Sequence, residues 1–296
     1  MSTDNHVSIF QIEGKAVRGR AVHLGTALNQ ALGPDRYPER VSQLLGEAMM
    51  IAALVARALK FKGRLLVQCM GSNEGAVSLL VADCTTDGHL RGYARYDEEM
   101  LRQIELDNRD PGAQALFGKG TFSMTIDQGP DMDQYQGLSA IEGHNLSDCA
   151  EHYFAQSEQI PTRVKLACGR LQYQGQEPTW RGGGLMIQKI ADDAAREDTG
   201  AAWTTAQALF ETITDAELLD PDVSQNTLLY RLFHEDGVRV IDRADVQAKC
   251  SCSKERLENT LKSFEKSQIE DMADDGFIEA NCEFCNVTYR FDITAL

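Results

Sequence analysis

Two close pairs of cysteines near the end of the chain constrain its fold more than any other feature. The pairs are Cys250-Ser251-Cys252 and Cys282-Glu283-Phe284-Cys285, and 29 residues lie between them. Two such chelating pairs, brought together by folding, supply four thiolates, which form the tetrahedral ligand set of a closed structural zinc site. The spacing therefore predicts that one zinc ion per chain is bound by four ligands: Cys250, Cys252, Cys282 and Cys285.

The residues around these pairs predict a small zinc-binding unit. Ser253 can cap a helix, and Ser267-Gln268-Ile269-Glu270 has the capping-box pattern that opens a second short helix. After an Asp275-Gly276 turn, residues 277–281 and 287–293 have the pattern of two strands. The second cysteine pair then lies in the turn of a hairpin, as in zinc knuckles.

The alternative for the paired cysteines is that they are buried or incidental thiols. For the other four cysteines this alternative is preferred, because each lies alone in an apolar or helical context, where cysteine behaves as a small hydrophobe. No role is predicted for these four: Cys69, Cys84, Cys149 and Cys168.

The start of the chain and its charge indicate a cytoplasmic protein that binds neither nucleic acid nor membranes. Residues 1–14 lack the basic and apolar regions of a secretory signal, and a reducing compartment argues against static disulfides. The net charge is -16, from 45 acidic and 29 basic side chains, which repels phosphate backbones and anionic lipids. The apolar stretch 41–59 carries Glu47 and Arg57 and has helical periodicity, so no membrane span is predicted.

Residues 1–195 have the pattern of an α+β core. Apolar residues recur at steps of three and four between Val41 and Leu59, which predicts a helix with one buried face. Asn145 or Ser147 can cap a second helix that runs to about Glu158. Strands are predicted from shorter apolar runs at residues 64–70, 76–82, 90–94, 121–127 and 163–171.

The chain changes character near residue 195, where we place a domain boundary. The run Arg181-Gly182-Gly183-Gly184 predicts a turn on the approach to it. Beyond residue 190 the chain holds 23 acidic and only 10 basic side chains. The predicted division is a core at 1–195, a helical linker at 196–240 and a zinc domain at 241–296.

The linker is predicted to be helical between residues 204 and 235, with a break at Asp220-Pro221. Short helices of this kind are not stable alone in water and need a surface to lie on. Two apolar stripes are available to contact that surface: Leu209, Phe210 and Ile213, then Leu228, Leu229, Leu232 and Phe233.

A zinc site made of four thiolates is also a target for oxidants. Thiolate character controls attack by an oxidant, and each close pair places a resolving thiol beside an oxidised cysteine. Oxidation can therefore close disulfides and release the metal. Because the metal supplies on the order of 10 kcal/mol of folding free energy to a unit of this size, its loss is expected to unfold the zinc domain. If the linker helices rest against that domain, they are expected to loosen and expose their apolar stripes.

Taken together, several segments resemble the 33 kDa chaperonin family, the redox-regulated heat-shock holdases. Besides the two cysteine pairs, the resemblance rests on three segments spread along the chain: Leu44-Leu45-Gly46-Glu47, the run from Tyr153 to Gln159, and Gly183-Gly184-Leu185-Met186-Ile187-Gln188.

The resemblance implies an α+β core, a metastable helical linker and a C-terminal zinc switch. It implies ATP-independent binding of unfolded or aggregation-prone client proteins under oxidative stress, and no catalytic residues or nucleotide. It further implies that the oxidised form loses zinc, dimerises and contains two disulfides, Cys250–Cys252 and Cys282–Cys285.

Other function classes find weaker support in the residues. Gly112 to Gly120 has the wrong spacing for a phosphate-binding loop, and no spacing rule supports His144 with Cys149 as a nucleophilic pair. An enzyme in the core lacks a recognisable catalytic set. The remaining alternative is a zinc-ribbon module for a nucleic-acid or ribosomal partner, which has the right ligands but an acidic terminal domain.

Overall fold

The computed structural model describes residues 4–129, 132–172, 175–190 and 199–296. The chain forms two compact units, residues 1–248 and residues 249–296. The boundary predicted near residue 195 lies outside the described residues. The helices that follow it, and the chain up to residue 248, belong to the first unit.

Mixed secondary structure confirms the predicted α+β class. The strands are β1 His6–Ile12, β2 Val17–Leu24, β3 Arg64–Met70, β4 Val77–Thr85, β5 His89–Tyr96, β6 Thr121–Asp127, β7 Tyr135–Ala140, β8 Thr162–Leu171, β9 Thr179–Lys189, β10 Val238–Asp245, β11 Gln247–Ala248, β12 Phe277–Asn281 and β13 Thr288–Asp292. The α-helices are α1 Thr26–Leu32, α2 Glu39–Ala56, α3 Glu98–Asp107, α4 Ala113–Phe117, α5 Leu146–Tyr153, α6 Thr199–Phe210, α7 Asp215–Leu219, α8 Gln225–Phe233, α9 Lys254–Leu261 and α10 Lys266–Met272.

Two sheets form the framework of the first unit. One has the strand order β10-β1-β2-β9-β8, and the other has the order β11-β5-β4-β3-β6-β7. Neighbouring strands run antiparallel, apart from the short pairing of β11 with β5. Antiparallel neighbours need only short turns between them, which is why β1-β2, β3-β4-β5, β6-β7 and β8-β9 are consecutive in the chain.

Helix α2 lies between the two sheets and forms the centre of the main core. It contacts β3, β4 and β5 of one sheet and β2, β8 and β9 of the other. Its side chains are buried almost all round, including Leu45, Met49 and Ile51. The helix predicted from Val41 onward is confirmed, but its single buried face is not, because both sheets pack against it.

Helices α6, α7 and α8 cover the other face of the five-stranded sheet. Phe210, Leu218 and Phe233 on these helices share one buried cluster with strand residues such as Phe10 and Leu185. The rings of Phe10 and Phe233 lie 6.0 Å apart. The linker helices therefore have the surface that their short apolar stripes require, and that surface is the sheet of the first unit.

The turn predicted at residues 181–184 is wrong, because these residues lie inside β9. Here the glycines make room for close neighbours on both faces of the sheet. A Cβ atom on Gly183 would lie 2.1 Å from the backbone oxygen of Leu218 in α7, and one on Gly182 would lie 2.7 Å from Leu28 in α1. The glycine run marks close packing, not a change of direction.

The second unit is small and has few buried side chains. Helices α9 and α10 pack against the β12-β13 hairpin around four of them: Leu261, Ile269, Ile278 and Phe291. Such a core is too small to hold 48 residues folded by burial alone.

Most of the local predictions for this unit are confirmed. The Ser253 hydroxyl accepts a hydrogen bond from the Arg256 amide at the start of α9, and β12 and β13 form the predicted hairpin. The cap predicted at Ser267 is wrong. Helix α10 begins at Lys266 instead, because the Gln268 side chain accepts a hydrogen bond from the Glu265 amide.

Candidate metal centre

The four paired cysteines come together in the second unit. Their sulfur atoms all lie within 4.8 Å of one another. The Sγ atoms of Cys250 and Cys282 are 3.7 Å apart, and those of Cys252 and Cys285 are 3.3 Å apart. Each of these two contacts joins one sequence pair to the other, so folding has assembled a single cluster from both.

The first pair is positioned by the start of α9. The Cys252 amide donates a hydrogen bond to the sulfur of Cys250 at 3.5 Å, and this bond closes a short turn between the two cysteines. The Arg256 side chain donates to the Ser251 oxygen at 3.2 Å, while Ser253 caps the helix. The helix thus holds the loop that carries both sulfurs.

The second pair is positioned by the turn between β12 and β13. The Cys282 amide donates to the Val287 oxygen at 3.0 Å, and the Asn286 amide donates to the Cys282 oxygen at 2.7 Å. Asn286 has φ of 61°, the left-handed conformation that closes the turn, and its side-chain oxygen accepts from Asn281 at 3.0 Å. This tight turn points both sulfurs to the same side.

The donor set and its spacing fit a tetrahedral dication. Four sulfurs at about 2.3 Å from a central zinc ion lie about 3.8 Å from one another. The two short contacts, at 3.7 and 3.3 Å, are close to that spacing. Four close cysteines therefore offer a site for a metal ion, and thiolate ligands favour zinc.

The electrostatics of the cluster also call for a cation. Burial and then the neighbouring sulfurs raise the pKa of Cys285 to about 12, although a hydrogen bond from the Val287 amide opposes the rise. The pKa of Cys252 is raised as well, first by burial. Four thiolates this close together repel one another, so they do not all form unless a positive charge lies among them. A bound dication supplies that charge and keeps the thiols deprotonated.

Tyr289 lies beside the cysteine cluster, a contact that the sequence analysis did not predict. Its hydroxyl lies 3.2 Å from the sulfur of Cys252, and this hydrogen bond is the main reason that the pKa of Tyr289 rises to about 12. A hydroxyl in this place supports a ligand from outside the metal's own shell. Its place in a predicted strand indicates packing, and no sequence pattern indicates its contact with Cys252.

The four isolated cysteines belong to the first unit and are not part of the cluster. Cys69, Cys84 and Cys149 are buried, and Cys168 is largely so. Burial raises the pKa of Cys84 and Cys149 to about 12, and raises those of Cys69 and Cys168 as well. They are free, protonated thiols in an apolar setting, as expected for small core residues.

Comparison with known proteins decides the family. A family model described as Hsp33 protein matches residues 5–292. The chain belongs to the Hsp33 family. Two curated relatives are both named 33 kDa chaperonin. The one from Caulobacter vibrioides is 51% identical over 98% of this chain and 95% of its own length. The one from Pseudomonas aeruginosa is 38% identical over 99% of this chain and 93% of its own.

A solved structure shows the same fold. The crystal structure of the 33 kDa chaperonin from Thermotoga maritima matches 98% of this chain and 95% of its own, with a TM-score of 0.77 at 22% identity. The resemblance to the Hsp33 family stated from sequence is therefore confirmed.

These comparisons also bear on the other function classes. Hsp33 relatives are named as chaperonins and not as enzymes, and nothing among them favours a nucleic-acid module. Within the described residues, no helix is long and apolar enough to cross a membrane.

Proposed function

We propose that this Hsp33 protein is a redox-regulated chaperone that holds unfolding proteins without ATP. In the reduced state, Cys250, Cys252, Cys282 and Cys285 bind one zinc ion and the protein is quiescent. In the oxidised state it binds aggregation-prone clients. The observation that carries the proposal is the single four-sulfur cluster in a unit with only four buried apolar side chains.

The switch proceeds through ordinary thiol chemistry. A thiolate attacks hydrogen peroxide, its sulfur is oxidised to a sulfenic acid, and hydroxide leaves. The neighbouring thiol then attacks that sulfur, a disulfide forms and water leaves. We propose that the disulfides are Cys250–Cys252 and Cys282–Cys285, within the close pairs. Four sulfurs that form two disulfides no longer bind a dication. The second unit then loses the free energy of metal binding, which is its main source of folding free energy.

The unfolding then spreads to the linker, which we place at residues 196–240, between a core at 1–195 and a zinc domain at 241–296. Lys249 alone separates β11 from Cys250, so the segment that loses its structure begins directly after β11. Strand β10 is an edge strand held by β1, and α8 comes just before it. Release of this segment exposes apolar residues that now cover the five-stranded sheet, among them Phe210, Leu229 and Phe233.

We further propose that the released surface binds client proteins and supports a homodimer of the oxidised form. The protein is proposed to act in the cytoplasm, where thiols are reduced until oxidative stress. Neither ATP nor any other nucleotide takes part.

The test is suppression of light scattering by a heat-unfolded client without ATP, before and after peroxide. The oxidised protein is expected to suppress scattering and the reduced protein is not. Cys282→Ser is expected to lose normal zinc affinity and to respond differently to peroxide, because a ligand is gone. Cys149→Ser, at a buried free thiol, is the matched control and should behave as wild type. Retention of one tightly bound zinc by Cys282→Ser would refute the ligand assignment.

A further inference from the structure

Strand β10 is held at the edge of the five-stranded sheet mainly through its backbone. It pairs antiparallel with β1 along the full length of that strand. One further backbone hydrogen bond closes each end of the pair. The Glu13 amide donates to the Gly237 oxygen at 3.0 Å, and the Val246 amide donates to the Asn5 oxygen at 2.8 Å.

The side chains of β10 contribute little to this attachment. Six of its eight residues are exposed and only Ala244 is buried, while Val238 packs against the apolar cluster at one end of the strand. Val240 and Ile241 are apolar and yet 40% and 57% exposed. Ile241 is the extra residue of a β-bulge, since the register with β1 shifts there. The place beside β1 therefore accepts a strand of almost any sequence.

Strand β1 itself is firmly held. None of its seven residues is exposed. On its other side it pairs with β2 from His6 to Gln11. Val7 belongs to the main core, and Phe10 and Ile12 belong to the cluster beneath α6, α7 and α8. Strand β1 is thus a fixed part of the sheet, and β10 is a replaceable one.

Removal of β10 would turn β1 into an open edge. The backbone N–H and C=O groups that now pair with β10 would then lack partners, which is costly unless another strand replaces it. Phe10 would add an apolar surface beside that edge once α8 leaves, because its ring now packs against Phe233 at 6.0 Å. An unfolded protein offers both a free backbone and apolar side chains, and a folded one offers neither.

From this arrangement we infer that the edge of β1 binds extended segments of unfolded proteins, and that β10 occupies the edge as an internal substitute until oxidation. The inference rests on the proposed function and adds to it the way in which a client is bound. The client segment forms a strand beside β1 and is held by backbone hydrogen bonds. Residues 246–249 alone lie between β10 and Cys250, so the substitute strand lies close to the proposed switch.

The experiment uses a disulfide that holds β10 on β1 in the full-length protein. Gln11 and Arg239 lie opposite each other in the pair, and Arg239 is exposed while Gln11 is half-buried. Opposite residues of antiparallel strands have Cα atoms about 4.5–5.5 Å apart, a distance that a disulfide can span. In Gln11→Cys/Arg239→Cys the bond is closed with oxidised glutathione while zinc is bound. Mass spectrometry and zinc content verify the product.

The matched control joins β1 to its other neighbour. Gln11 lies opposite Arg18 of β2, which is exposed, so Gln11→Cys/Arg18→Cys carries an equivalent disulfide and leaves β10 free. The probe is reduced and carboxymethylated lysozyme, which is permanently unfolded, and its binding is measured by fluorescence anisotropy after peroxide. Both variants should release zinc. The variant with β10 held is expected to bind the probe about tenfold more weakly or less, because no backbone hydrogen bonds can form at β1.

Hydrogen exchange of the oxidised wild type gives a second readout, which does not depend on any variant. Amides in residues 6–12 are expected to exchange faster after oxidation and to regain protection when the probe is added. A probe held by side-chain contacts alone would leave the exchange of these amides unchanged.

Three outcomes would overturn the inference. They are equal probe binding by the two disulfide variants, no protection of β1 by the probe, and protection that rises with the concentration of the protein itself instead of the probe. The last would assign the edge to a second copy of the chain. Oxidised wild type that fails to release zinc or to bind the probe would refute the proposed function as well, so the two failures are distinguishable.

Discussion

Glu47, at the centre of α2, is a buried carboxyl group in the main core. It is 8% exposed, and its side chain accepts a hydrogen bond from the Leu146 amide at 2.9 Å. Burial raises its pKa to about 7, although that hydrogen bond and the charge of Arg40 oppose the rise. The residue therefore ties α2 to the start of α5 and changes its charge near neutral pH.

Replacement of Glu47 by glutamine should make the stability of the first unit less dependent on pH. The folded pKa lies above the unfolded value of 4.5, so the contribution of Glu47 is present at low pH and is lost as the pH rises through about 7. The loss amounts to about 3 kcal/mol in wild type. Glu47→Gln keeps an acceptor for Leu146 and has no charge to bury, so it should lack this loss.

Urea unfolding at about pH 5 and about pH 8 measures the effect. Both tryptophans, Trp180 and Trp203, lie in the first unit, so their fluorescence reports on that unit alone. Glu39→Gln, at an exposed site on the same helix, is the control and should keep the wild-type dependence. Equal pH dependence in Glu47→Gln and wild type would contradict the assignment.

At the residue scale, the sequence predicts the cysteine cluster but not the contacts that Tyr289 and Glu47 make. The spacing of Cys250, Cys252, Cys282 and Cys285 is enough to predict their meeting, because chelating pairs are a local pattern. Tyr289 and Glu47 act through contacts that folding creates. Glu47 lies 99 residues from Leu146 in the chain, and no local sequence pattern predicts a contact over that separation.

Strand β9 shows at the element scale how the linker is held in place. Gly183 lies directly beneath α7, where a Cβ atom would meet the backbone oxygen of Leu218 at 2.1 Å. Backbone cannot move aside as a flexible side chain can. We therefore expect Gly183→Ala to destabilise the docked linker by about 1–3 kcal/mol.

The expected phenotype of Gly183→Ala is partial client binding in the reduced state with zinc still bound. Scattering suppression without oxidant, together with zinc content, measures it. Gly169→Ala is the matched control, because its Cβ would meet only the end of the Leu219 side chain, at 3.3 Å. A fully quiescent, reduced Gly183→Ala would contradict the idea that docking of α7 keeps the protein inactive.

Sequence predicts the bounds of some elements well. The strands β3 and β6 match their predicted bounds, and Asn145 caps α5 as expected. Strand β9 was missed because both its faces are buried, so apolar and polar residues do not alternate along it. Strand β10 was missed for the opposite reason, since most of its side chains are exposed.

The two units of the whole molecule differ sharply in how they are stabilised. The first has large apolar clusters on both faces of its five-stranded sheet, while the second has four buried apolar side chains and the cysteine cluster. A metal ion in the cluster adds on the order of 10 kcal/mol to such a small unit. The stability of the second unit should therefore depend on metal far more than that of the first.

Removal of metal from the reduced protein by a strong chelator should unfold residues 249–296 and leave the main core intact. Hydrogen exchange, read peptide by peptide, measures this. Protection is expected to vanish in α9, α10 and the β12-β13 hairpin and to persist in α2. Wild type reloaded with zinc is the control. Unchanged protection of the hairpin after chelation would show that its small core is sufficient without metal.

Titration of the reduced, zinc-loaded protein with hydrogen peroxide tests the proposed switch most directly. Zinc released, free thiols remaining and suppression of client aggregation are measured in the same samples. The expected result is that one zinc ion leaves, four of the eight thiols disappear and suppression appears over the same range of peroxide. Suppression that appears while zinc and all four clustered thiols remain would contradict the switch.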